Sequence, residues 1–247
     1  MIRTAVLFVL LMLSSCTVSE QRSLRSLGLP RSTQQVLLCT TSEWRETRAT
    51  LFLMERVGSD WRIASPAIPA RIGRSGLGWG LGEHIAGDGP TKHEGDGRAP
   101  AGIFTLGTAF GYALQPPGGV LVPYRQATDR DYFVDAVDSP AYNQWCHIPL
   151  SSDNVPKIRW ASYERMLRDD DLYELGMVVN HNVGPAVAGR GSAIFLHVWR
   201  GPKGTTSGCT SMSRDSLLRV LTWLRPEAKP LLIQVPASEL EALRCRE

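Results

Sequence analysis

The stretch Ala193-Ile194-Phe195-Leu196-His197-Val198, followed by Thr206-Ser207-Gly208-Cys209-Thr210, decides how this chain is read. An apolar run of strand length delivers a histidine. Alternation along it puts Ile194, Leu196 and Val198 on one face and Phe195 and His197 on the other. Eleven residues then intervene before a cysteine that follows Ser-Gly at the place of a tight turn. Ser213 can cap a helix over 214–224, where Leu217, Val220, Leu221 and Leu224 make one apolar face. A free thiol is mostly protonated at neutral pH, and an imidazole beside it can take the proton to leave a thiolate–imidazolium pair. The amides of Ser207, Gly208 and Cys209 can hold the oxyanion of a tetrahedral intermediate. A helix starting about four residues on adds a weak positive dipole. The chemistry implied is acyl transfer through a thioester, with Cys209 as nucleophile and His197 as base. The alternative is a structural cysteine beside a core histidine.

Outward from this pair the chain reads as mainly β with a few helices. Gln35–Thr40, Ala49–Val57 and Trp61–Ala67 have strand character, the last two joined by the turn Gly58-Ser59-Asp60. Ile103–Leu106, Asp131–Ala136, Met177–Asn180 and Leu231–Val235 read as further strands. Tyr163–Asp171 and Glu239–Arg244 read as short helices. The run 71–82 holds Gly73, Gly76, Gly78, Gly80 and Gly82. No Gly-Lys-Ser/Thr follows and no helix pattern opens after it, which argues against a phosphate loop and for close backbone approach beside a cleft, with bulges. His84, Asp88, His93, Glu94 and Asp96 fit no common zinc spacing, so no metal is expected. Glu94, Asp96 and Arg98 are expected to fix a solvated loop by ion pairs. No cofactor motif is seen.

The N-terminus places the thiol. Arg3 and the apolar run Ala5–Leu13 read as the first two regions of a secretory signal over 1–15, since spanning a bilayer takes about 20 apolar residues. Leu13-Ser14-Ser15-Cys16 is a lipobox-like end, which makes Cys16 the candidate for lipidation. Several acyl chains, each contributing about 0.8 kcal/mol per buried CH₂, give a stable membrane anchor. Residues 16–33 read as a lipidated tether and 34–247 as one domain. The expected location is the cell envelope, facing the periplasm, with Thr17 favouring the outer membrane over the inner one. A net charge of +3, without a basic stripe interleaved with aromatics, argues against nucleic acid as a partner. Cys39, Cys146 and Cys245 remain. In an oxidising compartment Cys39–Cys245 is the favoured bridge, because first and last elements of a domain often lie close, although sequence does not fix connectivity.

Gly191-Ser192-Ala193-Ile194-Phe195-Leu196-His197 with Thr206-Ser207-Gly208-Cys209 resembles the catalytic signature of the L,D-transpeptidase (YkuD-like) domain. Glu94-Gly95-Asp96-Gly97-Arg98-Ala99-Pro100-Ala101-Gly102-Ile103-Phe104 is similar to that family's Thr-Pro-x-Gly-x-Phe segment, and Val179-Asn180-His181-Asn182 to the strand end before the His strand. The resemblance implies a mostly β, sandwich-like fold and action on peptidoglycan stem peptides. It implies that Cys209 attacks the carbonyl of an L-centre residue, usually meso-diaminopimelate, that D-Ala leaves, and that an amine, a D-amino acid or water accepts the acyl group. It also implies that a backbone carbonyl, not a carboxylate, orients His197.

Three departures stand out. Many members carry His at the position of Ser207, and Arg at that of Ser211, where it is linked to the substrate carboxylate. Here Arg98 or Arg214 is expected to substitute, with His181 and Trp199 beside the cleft. The His-to-Cys spacing is shorter than in the crosslinking enzymes. An L,D-carboxypeptidase, a hydrolase that detaches peptides or proteins from peptidoglycan, and a non-catalytic wall-binding lipoprotein therefore stay beside the transpeptidase reading.

Overall fold

The computed structural model describes residues 24–149 and 158–246, so the signal segment and Cys16 lie outside the described residues. The domain opens earlier than the expected boundary at residue 34. Leu24, Leu27 and Leu29 are buried in the core, and Leu27 O accepts the Cys245 N–H at 3.0 Å. The segment 24–33 is thus packed wall, because three leucines can leave water there.

Apolar, β-branched runs make the strands. β1 (Gln35–Thr41) is buried along its whole length, the mark of a strand covered on both faces. β2 (Arg48–Val57) and β3 (Asp60–Ile63) form the expected hairpin, and β4 (Ile68–Arg71) returns against β2. β5 (Leu77–Trp79) and β6 (His84–Ile85) are short. β7 (Ala99–Gly111) is far longer than the Ile103–Leu106 core read from sequence. β8 (Tyr124–Gln126) lies on it, and β9 (Asp131–Val134), β10 (Gln144–His147) and β11 (Tyr163–Arg165) form a separate three-stranded flap in the order β10-β9-β11. β12 (Leu175–Val179), β13 (Phe195–Val198), β14 (Thr210–Met212) and β15 (Leu231–Pro236) complete the main sheet, and β16 (Arg244–Cys245) pairs with β6.

Hydrogen bonding runs β1-β15-β7-β12-β13-β14-β4-β2 and returns from β2 to β1. The sandwich implied by resemblance is therefore replaced by a closed barrel. β1 is parallel to β15 and antiparallel to β2, so neither of its edges is left unpaired. The helix Arg214–Trp223 starts where expected, its cap Ser213 Oγ accepting from Ser216 N at 3.2 Å. Leu217, Val220, Leu221 and Leu224 are fully buried.

Two expected helices are not formed. Tyr163–Arg165 pairs with β9, and the only helical turn nearby is Asp171–Tyr173, capped by Asp170. At the C-terminus a turn at Ala237–Glu239 leads to β16. In both places cross-strand partners outweigh a weak helical propensity. The expected Cys39–Cys245 bridge is also absent, and Cys39, Cys146, Cys209 and Cys245 are free thiols. Cys39 faces Gln234 and Leu51 across the barrel wall, while Cys245 faces His84 in the small β6–β16 sheet.

Gly102 has φ +138, and a Cβ there would fall on the His84 imidazole; Gly95 has φ +71 with open space around it. Gly102→Ala combines backbone strain with overpacking and is expected to destabilise by about 3 kcal/mol, whereas Gly95→Ala should cost only about 1–2 kcal/mol from its left-handed φ. Urea unfolding of the two variants side by side checks the ordering; equal losses would show that the His84 contact carries no weight.

Candidate active site

β13 and β14 run parallel, with Leu196 opposite Thr210 and His197 opposite Ser211. Extending that register by one residue brings Cys209 beside Phe195, whose N–H donates to Cys209 Sγ at 3.3 Å. Phe195, His197 and Cys209 therefore share the outer face of the barrel, as the alternation required, while Ile194, Leu196 and Val198 join the inner core. The flap closes over this face. Phe110, Phe133, Tyr173 and Phe195 stack edge to face with centroids 5.1–5.8 Å apart, and the Tyr173 ring lies 5.4 Å from that of His197. Such edge-to-face pairs add to their burial and fix ring orientation.

A cleft of roughly 430 Å³ opens above, and Cys209, Gly208, Ser207 and His197 all line it. His197 Nδ1 donates to its neighbour's carbonyl, Val198 O, at 2.7 Å. That bond fixes the tautomer and makes Nε2 the ring's proton-accepting nitrogen, the Leu172 backbone also bears on the ring, and the orienting group is a backbone carbonyl, as expected. The Cys209 thiol donates to Ala193 O at 3.4 Å, not to the imidazole. Gly208 N is taken by Thr206 Oγ1 at 3.2 Å, and the same hydroxyl donates to Cys209 O at 2.6 Å. β14 separates the cysteine from the start of the helix along the chain.

Burial sets the protonation states. It lowers His197 to about 4, opposed only in part by the Val198 carbonyl. It raises Cys209 to about 12, opposed by the Phe195 N–H. Burial thus favours a neutral thiol and a neutral imidazole over the expected ion pair.

The expected substrate-binding residues do not line this cleft. Arg98 donates to the carbonyls of Ser75 (3.1 Å) and Leu77 (2.8 Å). Arg214 pairs with Glu174 at 3.1 Å. His181 is buried, accepting from Leu81 N at 3.2 Å through Nδ1 and donating to Arg190 O at 2.9 Å through Nε2. Trp199 continues the chain from β13 outside the lining. The cleft's charges come instead from Arg74, Lys92, Arg168 and Arg200, with Glu94, Asp135 and Glu164. Lys92 is buried against Asp96 at 2.7 Å, and Arg168 makes two bonds to Asp170 at 2.8 and 3.0 Å. Arg74, exposed at the mouth, reaches Ser207 Oγ at 3.2 Å. Among the described residues, Asp135 Oδ1 is buried without a partner. Burial, with Asp135 nearby, raises the Glu164 carboxyl. Arg74 was legible only as part of the glycine-rich run; Asp135, Glu164 and Arg168 carried no signal, since the flap that presents them is a tertiary feature. Of the ion pairs expected in the polar loop, Asp96 has Lys92, and Glu94 instead accepts from Tyr142 OH (2.5 Å) and Ser192 Oγ (2.7 Å).

One barrel face thus sets a cysteine and a histidine on adjacent, parallel-paired segments beneath a charged cleft. The chain belongs to the L,D-transpeptidase catalytic domain family (YkuD), whose model matches residues 50–233. No curated protein and no solved structure matches it.

The buried histidines His84, His181 and His197 are each lowered from 6.5 to about 4 by burial. Between those values the unfolded chain binds protons that the folded chain refuses, so their contribution is present above about pH 6.5 and is lost as pH falls toward 4. The urea midpoint should therefore drop between pH 7 and pH 5. His197→Gln should flatten part of that drop, and an unchanged slope would contradict the buried neutral imidazole.

Proposed function

We propose that the protein is a cysteine-dependent acyltransferase acting on peptidoglycan stem peptides, with Cys209 as nucleophile and His197 as general base and acid. The observation that carries this reading is the pair itself, diagonal neighbours across the β13–β14 pairing that line one cleft in a chain of this family. A bound substrate carbonyl displaces water. The thiol then turns from Ala193 O to His197 Nε2, gives up its proton and attacks, forming the C–S bond. The oxyanion falls to the Ser207 and Cys209 N–H groups, because Gly208 N is already engaged. His197 passes the proton to the leaving D-Ala nitrogen, and the C–N bond breaks. An amine or water then attacks the thioester, and sulfur recovers its proton through the same imidazole.

The mixed charges of the cleft support a zwitterionic substrate. Meso-diaminopimelate carries an ammonium and carboxylates; Arg74 and Arg200 suit the carboxylates, and Asp135 with Glu164 suits the ammonium. These carboxylates also favour an amine over water as acceptor, so transpeptidation leads and carboxypeptidation is second. Reading the N-terminus as a lipobox places the domain in the envelope on a Cys16 anchor.

Purified tetrapeptide muropeptides, incubated with the protein and with D-amino acid, are expected to lose D-Ala and yield dimers or exchanged products by mass spectrometry. Cys209→Ala should yield none. Tripeptides alone would make the enzyme a carboxypeptidase, and no turnover would overturn the stem-peptide reading. Arg74→Ala is expected to raise KM about tenfold with kcat nearly kept, since it removes one charge-assisted contact. Fatty-acid labelling in cells should tag the wild type and not Cys16→Ser.

A further inference from the structure

The Cys209 thiol proton rests on the Ala193 carbonyl, and Ala193 is a non-glycine residue held at φ +52. A residue stays in that left-handed region only where its surroundings over-determine it. Those surroundings come from the flap, outside the β13–β14 motif. Asn143, which opens β10 and itself sits at φ +60, accepts the Ala193 N–H through Oδ1 at 3.1 Å. Its Nδ2 donates to His181 O at 2.9 Å and to Asn182 O at 2.8 Å. The preceding residue, Tyr142, accepts the Gly191 N–H at 3.1 Å and donates to Glu94, which also holds Ser192 Oγ. Two consecutive flap side chains thus engage the segment 191–193 on either side of Ser192, and Tyr142, Asn143 and Ser192 are all buried. A buried polar network whose members are all satisfied is stiff and specific.

We propose that Asn143 is a positioning residue for the nucleophile: through the backbone of Ala193 it holds the carbonyl that keeps the Cys209 thiol in place and protonated until substrate arrives. It touches neither substrate nor sulfur. The inference rests on the proposed role of Cys209 only for its turnover arm. The alkylation arm reads the thiol directly and stands even if muropeptides prove to be the wrong substrate.

The test compares wild type, Asn143→Gly and Tyr142→Phe in the full domain. Glycine accepts the positive φ of residue 143, so that variant removes the side-chain bonds without adding backbone strain. Tyr142→Phe removes one hydroxyl from the same clamp and keeps the question open should Asn143→Gly fail to fold. Iodoacetamide labelling is followed by peptide mass spectrometry at Cys209 and at Cys39. Cys39 lies in the barrel wall with no exposure, so it reports general opening. Loss of the carbonyl partner should make Cys209 react about tenfold faster in Asn143→Gly, and by less in Tyr142→Phe, with Cys39 unchanged. On muropeptides kcat should fall about tenfold with KM nearly constant. Cys209 labelling that stays at the wild-type rate in both variants, or that rises only in step with Cys39, would overturn the proposal.

Discussion

The parallel pairing of β13 with β14 is the constraint on which the site depends. Parallel neighbours cannot be joined by a tight turn, so the chain leaves β13 after Val198 and must come back to start β14 at Thr210 in the same direction. What fixes this return is Thr206. Its backbone bonds Ile72 O (3.1 Å) and Arg74 N (2.8 Å), and it forms a parallel bridge with Gly73. Its hydroxyl then holds both Gly208 N and Cys209 O. Gly73 can receive this loop because a Cβ there would run into the Gly97 carbonyl on its other side. The glycine-rich run and the cysteine turn are two halves of one joint, which sets the nucleophile in register with Phe195.

That joint delivers Cys209 into a cluster of aromatic rings, and the burial has opposing consequences. It raises the thiol and lowers the imidazole, so the resting pair is neutral and weakly nucleophilic. A neutral buried thiol also resists alkylation and oxidation. In the mechanism proposed above, the nucleophile is then generated in the act of proton transfer, when a substrate carbonyl occupies the cleft and its developing charge is met by backbone N–H groups. Phe195 serves both sides of this balance. Its ring is the hub of the aromatic cluster, and its N–H is the one donor that pulls the thiol down.

Much of this was legible in the sequence, because it rests on local periodicity. The alternation of Ile194 to Val198 gave the two faces, and the capped apolar stripe from Ser213 gave the helix nearly to the residue. Barrel closure was not legible, since it depends on β1 pairing at once with β2 beside it and β15 from the far end of the chain. The flap was missed for the same reason. Tyr163–Arg165 is too short and too polar to announce a strand, and only pairing with β9 makes it one. Leu24, Leu27 and Leu29 were hidden by the polar residues between them. The disulfide expectation failed on geometry, because chain ends that lie close still need facing Cβ atoms, and here the two thiols belong to different sheets.

The charges show why residue type alone misplaces a binding role. Ser211 is buried opposite Arg71 at the β14–β4 seam. Ser211 also lines the cleft, where it presents a short neutral hydroxyl. Arg98 and Arg214 looked like substitutes because each lies near a motif in sequence, yet their donors are already taken by the carbonyls of Ser75 and Leu77 and by Glu174. Arg74, by contrast, follows directly from the Gly73 joint, and its guanidinium reaches Ser207 on the rim beside the nucleophile. Arg74 donates to a backbone carbonyl as well, Gly95 O at 3.4 Å, but it is exposed and lines the cleft, where its remaining donors can meet an incoming carboxylate. The cation proposed to meet the substrate thus sits on the loop that braces the turn carrying Cys209, and it touches that turn through Ser207.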